Sequence, residues 1–240
     1  MNEAAQPRRA LVTGAGGFLG ANLIRRLIAD GHTVMGMVRP GSDVWRLDGI
    51  SGGLEVKSAD LRDSDALGQA VSEAAPDWVF HLAAHGGYSW QRDAAGIFES
   101  NVVGTAALLE ACREAGCDAF VQTGSSSEYG LKDHAPAEDE PLEPNSAYAV
   151  AKAAATLYAR HLAVSGGLPA VTLRLYSAYG PYEDPRRLVP KLISEGLQGR
   201  LPPLVGPEIS RDFVAVEDVL DALVAAASRP AAGGPGAVYN

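Results

Sequence analysis

The stretch SAYAVAKAAA (146–155) places Tyr148 four residues before Lys152 in an alanine-rich run. On a helix, residues four apart share a face, so the phenol and the ammonium would be neighbours. A phenol titrates near ~10, too high to trade protons well at neutral pH. A nearby ammonium favours the phenolate and draws that value toward the working range. The pair can therefore act as an acid and base, or it can be two exposed side chains on ordinary helix. Taken alone, the spacing favours the second reading, so the choice rests on what else the chain carries.

A second chemistry is written in TGAGGFLG (13–20), which follows an apolar run and opens a helical pattern. Gly14, Gly17 and Gly20 fall three residues apart. Without side chains the backbone can turn tightly, approach a pyrophosphate and pack helix on strand. The helix N-terminus then offers free N–H groups and a partial positive charge to that anion. Glycine is common in plain turns, but strand–loop–helix is the context that dinucleotide binding requires. At the end of the next strand an acid would bond a ribose 2′-hydroxyl, whereas an arginine would accommodate a 2′-phosphate. That position holds Arg39, nineteen residues past Gly20, with Asp43 nearby. NADP(H) is the expected cofactor and NAD the alternative.

Holding these groups in place takes alternating strands and helices. RALVT (9–13), HTVMGMVR (32–39), LEVKSADL (54–61), DWVFHLAA (77–84), DAFVQTGS (118–125) and PAVTLRLY (169–176) read as strands. Between them, 17–31, 64–75, 101–116 and 145–167 read as helices. This alternation predicts an α/β fold with a doubly wound parallel sheet of the Rossmann type. Past residue 177 Pro and Gly become frequent, with shorter helices expected near 187–198 and 217–228. The chain thus divides into a dinucleotide-binding domain (1–176) and a small substrate-binding lobe (177–240). Ligands of such sheets bind outside the carboxyl ends of the strands.

The chain has 240 residues, 47% hydrophobic and 20% charged, with a net charge of -9. That is globular composition, and the acidic balance argues against nucleic acid or an anionic membrane as partner. Cys112 and Cys117 lie five residues apart without metal-ligand spacing and read as reduced thiols. No metal is expected. MNEAAQPRRA is not followed by an apolar core, and no run approaches the ~20 apolar residues of a membrane span. A soluble, cytoplasmic protein is the expectation.

TGAGGFLG, ADL, HLAA, NVVGT, GSSSEYG, YAVAK and RDFVAVEDV occur in that order. Together they resemble the extended short-chain dehydrogenase/reductase family, in its nucleotide-sugar epimerase, dehydratase and 4-ketoreductase group. The resemblance spans essentially the whole chain. It implies that Tyr148 is the acid/base of hydride transfer and that Lys152 holds the nicotinamide ribose. It also implies a serine after the fifth strand that orients the substrate oxygen. Ungapped register makes this Ser125, with Ser126 or Ser127 the candidate if the loop is shifted. Further cofactor contacts are implied at Gly14, Gly17, Phe18, Leu19 and Gly20, and at Asp60 and Leu61 beside the adenine. Leu82, Ala83 and Ala84 are implied to line the cofactor at the end of the fourth strand, and Tyr176 to lie near the nicotinamide. Ser126, Ser177 and Arg211 are the implied substrate contacts, with the Arg211 guanidinium clamping a diphosphate. Many members carry asparagine where Ser177 stands.

Three reactions share this framework. A 4,6-dehydratase needs an extra acid/base before the loop tyrosine; here Glu128 comes one position late, with Ser127 where the glutamate would be. A 4-epimerase needs the Ser/Tyr/Lys set and tightly held NAD. A 4-ketoreductase takes a keto-sugar nucleotide and exchangeable NADPH, and GSSSEYG is similar to its loop. With Arg39, the resemblance points to reduction of a 4-keto deoxysugar nucleotide. Epimerase, dehydratase and a non-catalytic nucleotide-binding protein are the alternatives. A homodimer through the helices at 101–116 and 145–167 is implied. Family members continue beyond the last residue of this chain, so the substrate lobe is expected to be incomplete.

Overall fold

The computed structural model describes residues 6–88, 90–206 and 210–240. The first five residues of the amino-terminal stretch read for targeting lie outside these, as does Pro207 of GRLPPLVGP. Seven strands form one sheet: β1 (Arg9–Thr13), β2 (Thr33–Val38), β3 (Leu54–Ser58), β4 (Trp78–His81), β5 (Ala119–Ser125), β6 (Ala170–Leu175) and β9 (Val238–Tyr239). Their order is β3-β2-β1-β4-β5-β6-β9 and every pairing is parallel. The order reverses between β1 and β4, the crevice where doubly wound sheets take dinucleotides. The first six strands fall where alternation of apolar runs and helices predicts them, and the Rossmann expectation holds.

The sheet is buried because helices cover both faces. Val12, Phe80, Val121 and Leu173 face α1 (Phe18–Ala29) and α7 (Val216–Ser228). Leu11, Val79 and Phe120 face α2 (Ser64–Ala74), α4 (Thr105–Ala115) and α5 (Ala147–Gly166). Successive strand residues point to opposite faces, which is why a strand run such as WVF (78–80) must be apolar throughout. Local chemistry sets the helix starts. Asp63 caps α2 by accepting from Ala66 N (3.0 Å), and Ser146 caps α5 by accepting from Ala149 N (3.1 Å). Each cap is worth about 1 kcal/mol.

Three features go beyond the sequence reading. The helix expected at 101–116 begins earlier, as α3 (Ala94–Phe98), and runs through a π-helical turn at Glu99–Gly104 into α4. Gly104 permits this close passage: a Cβ there would stand 2.7 Å from Leu61 Cβ. Past residue 176 the chain does not stay apart from the sheet layer, since α7 packs into the same core as α1 and β9 joins β6. The remainder comprises α6 (Leu188–Gly196) and a two-stranded sheet of β7 (Ser177–Tyr179) and β8 (Phe213–Ala215). Among the described residues no helix is long and apolar enough to cross a membrane, and no His/Cys/Asp/Glu cluster is placed to hold a metal ion.

Candidate active site

The glycine loop turns directly off β1. Gly14 adopts φ +69°, and a Cβ there would stand 2.8 Å from Ala83 N. A Cβ at Gly20 would overlap the Gly14 carbonyl. Gly17 caps α1 without a side-chain bond, so no cap side chain takes up the first N–H groups of the helix. Phe18 and Leu19 form its first turn. This cradle, closed to any side chain and opened by a helix N-terminus, fits a dinucleotide pyrophosphate. Leu82, Ala83 and Ala84 follow β4 alongside it; Ala83 N donates to Thr13 Oγ1 (3.2 Å).

Two rows of polar groups fix this edge of the sheet from below. His81 bridges Thr13 Oγ1 (2.7 Å) and Thr105 Oγ1 (2.9 Å), tying β1, β4 and α4 together. Burial pushes its imidazole down to about 3, so the ring is neutral. Asn101, inside the π-helical turn, accepts from His85 N (2.8 Å) and donates to His85 O (2.7 Å). π-Turns recur at functional sites, and this one aims an amide at the strand end.

At the adenosine end, Asp60 follows β3 and receives a two-pronged ion pair from Arg62, at 3.0 and 2.7 Å. That pair, with the nearby Arg39 charge helping, draws the Asp60 carboxyl down to about 2. Arg39 is exposed at the end of β2. Leu61 packs beneath Gly104.

Ser125, Tyr148 and Lys152 come together at the carboxyl end of β5. Tyr148 occupies the first turn of α5, with the Ser125 side chain beside its phenol. Gly86 and Gly87 pass over the phenol ring; Cβ atoms there would stand 3.5 and 4.0 Å from it. Lys152, one turn along, is buried. Burial lowers its ammonium to about 8, against an opposing pull from Glu128. The Tyr148 phenol is shifted up, opposite to what a tyrosine–lysine pair alone predicts. Burial outweighs the rest; the Ser125 hydroxyl and Arg187 pull down, and the Glu128 charge pushes up. Ser126 and Ser127 lie half-buried on the short 3-10 turn Ser126–Tyr129, which Ser125 caps.

Ser177 opens β7, and Arg211 lies two residues ahead of β8. Ser177 N donates to Asp212 O (3.0 Å), so the two segments lie side by side, with Arg211 exposed. Tyr176 is half-buried and lines an apolar cavity of about 350 Å³ between α7 and Tyr239.

Residues 10–240 match the model of the NAD dependent epimerase/dehydratase family. The chain belongs to that family. Within this epimerase/dehydratase family, a UDP-glucose 4-epimerase of Mycolicibacterium smegmatis is 38% identical over 94% of this chain and 75% of its own length. A dTDP-glucose 4,6-dehydratase of Streptomyces griseus is 34% identical over 96% of this chain and 72% of its own. Among solved structures, the Streptomyces venezuelae dTDP-glucose 4,6-dehydratase DesIV, with NAD and TYD bound, superposes with TM-score 0.83 at 30% identity. The match covers 96% of this chain and 74% of that one. The Methanobrevibacter ruminantium UDP-N-acetylglucosamine 4-epimerase, in complex with UDP-N-acetylmuramic acid, gives TM-score 0.86 at 29% identity, covering 98% and 76%.

Sequence reasoning passed over several epimerase/dehydratase residues that build this site. His81, Thr105 and Asn101 lie inside the quoted HLAA and NVVGT motifs, so their presence was visible but their bonds were not. Glu128 was weighed only as an out-of-register acid. Arg174, which engages it, carried no signal beyond being a charged residue in an apolar strand.

Proposed function

We propose that the protein transfers hydride at carbon 4 of a nucleotide-diphosphate hexose, acting as a 4-ketoreductase with NADP(H). The observation that carries the hydride-transfer reading is the Tyr148 phenol beside Ser125, with Lys152 buried one turn away. In the reductive direction the Tyr148 O–H gives its proton to the carbonyl oxygen, which Ser125 Oγ holds in place. Lys152 holds the ribose and keeps a positive charge beneath the phenol as it ionises. When bound, the nicotinamide cofactor supplies the hydride that completes the alcohol. Gly14, Gly17 and Gly20 would cradle its pyrophosphate, Asp60 its adenine, and Arg39 a 2′-phosphate.

The direction and cofactor rest on the GSSSEYG loop and on Arg39. Dehydration is disfavoured because Glu128, the loop's one acid, has both oxygens engaged inside the protein. A second reading, 4-epimerisation with retained NAD, is favoured by the 38% identity to a UDP-glucose 4-epimerase. Ser126, Ser177 and Arg211 are proposed to meet the substrate, Arg211 through its diphosphate. A second copy of the chain is the proposed partner. Val150, Leu157 and Val164 form an exposed apolar stripe on α5, with Val103 exposed on the π-helical turn. Leu157→Glu should yield a monomer by sedimentation, and an unchanged species would refute that pairing.

The deciding experiment releases and weighs any bound nucleotide, then supplies substrates. Consumption of NADPH with dTDP-4-keto-6-deoxyglucose supports the reductase. Conversion of UDP-glucose to UDP-galactose without net reductant supports the epimerase. No hydride exchange with either compound would sink both readings.

A further inference from the structure

Glu128 has no exposed surface, although it sits in a loop beside the site. Its Oε1 accepts from the Ser125 backbone N–H (2.8 Å) and the Thr156 hydroxyl (3.1 Å). Its Oε2 accepts from Arg174 Nε (2.9 Å). Arg174 is also buried and donates onward to the Tyr129 hydroxyl and to the Glu138 carbonyl (3.0 Å). The Tyr129 hydroxyl in turn donates to Asn240 Oδ1 (2.8 Å). One carboxylate therefore gathers the end of β5, the face of α5 that carries Lys152, and β6. A Cβ at Gly124 would stand 2.7 Å from Oε1, so the strand lies pressed against the pair.

The consequence falls on Ser125. Its N–H is taken by Glu128, and its Oγ accepts from Ser127 N (3.2 Å), a reciprocal capping box. A hydroxyl carries one hydrogen and two lone pairs. The Ser125 Oγ thus keeps its hydrogen and one lone pair for partners outside the loop, on the side where Tyr148 stands. Thr156 is four residues beyond Lys152, so the same carboxylate clamps the helix face that carries the lysine. Buried ion pairs add little stability relative to apolar residues of equal size, which points to a role in geometry. The Glu128 charge also reaches both Tyr148 and Lys152, favouring the protonated form of each.

We infer that Glu128, held by Arg174, is a positioning residue that orients Ser125 toward Tyr148 and locks the serine turn to the lysine-bearing helix. This rests on the reading of Ser125, Tyr148 and Lys152 as the hydride-transfer set.

The test is a double-mutant cycle on kcat, using whichever of dTDP-4-keto-6-deoxyglucose and UDP-glucose is turned over. Glu128→Met with Arg174→Met removes both charges together and the acceptor for Ser125. Its kcat should fall by about 10- to 100-fold, while in a Ser125→Ala background the same change should cost less than about 2-fold. Glu128→Gln with Arg174→Gln keeps the acceptor and should recover most of the rate. In cofactor-free protein, the Ser125 amide should exchange with deuterium at least ~10-fold faster in the methionine pair than in the glutamine pair. If the methionine pair does not fold, Glu128→Met with Arg174→Gln, which also removes the acceptor for Ser125, is carried through the same cycle with the same expected losses. A loss that persists undiminished in Ser125→Ala overturns the inference alone. A Ser125→Ala chain with unchanged kcat overturns the functional reading, and the inference with it.

Discussion

Ser125, Tyr148 and Lys152 stand at the β5–α5 junction among groups whose partners lie inside the protein, whereas Ser177 stands on the small β7–β8 sheet and Arg211 just ahead of β8, at the surface. On the first side a buried carboxylate, three threonines, an asparagine and a neutral histidine each have a named bond. On the second, α6 buries none of its residues and Arg211 is exposed. Buried polar groups must be paired, so the first side has few alternative arrangements. Exposed groups keep their rotamers and their choice of partner. Under the proposed function, the reaction type is built into the core, and substrate choice is left to side chains that can change without disturbing it.

The largest expected effect breaks the contrast at its centre. Tyr148→Phe removes the proton donor while keeping the ring against Gly86 and Gly87, so kcat should drop by about 10²- to 10⁴-fold. Cofactor binding, followed by fluorescence titration, should survive. A variant with near-normal turnover would remove the β5–α5 side from the chemistry.

Lys152→Met comes next, with a loss on the order of 10²-fold at neutral pH. It also separates activity from stability by pH. The Lys152 value falls from 10.5 to about 8 on folding. Between those values the unfolded chain holds more protons than the native one, so this lysine makes stability rise with pH across that window. Activity that needs the ammonium should instead fall as pH passes about 8. Denaturation midpoints and kcat profiles should thus move in opposite directions in the parent chain. Lys152→Met should lose both trends.

Arg39→Asp tests the exposed adenosine edge. NADP(H) over NAD(H) preference should shift by about 10-fold or more with little change in melting temperature, since Arg39 packs into nothing buried. Unaltered selectivity would mean that Arg39 does not read the phosphate. Ser177→Asn, at the surface sheet, should change kcat least, within about 3-fold, and act mainly through substrate KM. A collapse of kcat there would erase the distinction between the two sides.

Local pattern alone determined much of this protein. The glycine triplet, the Tyr148–Lys152 spacing and the apolar strands are short-range features, written in consecutive residues and governed by backbone sterics and periodicity. The doubly wound order follows from them because parallel strands joined by helices have few ways to stack. Other properties came only with the tertiary structure. Glu128 and Arg174 are 46 residues apart and look like any acid and base until β5 and β6 lie side by side. The π-helical turn ends at Gly104, which passes close to Leu61, a contact no helical periodicity announces. The two-residue β9 has no signal of its own and becomes a strand by pairing with β6. Even the direction of the Tyr148 shift was decided there, because burial is a property of the packed chain and not of the residue beside it.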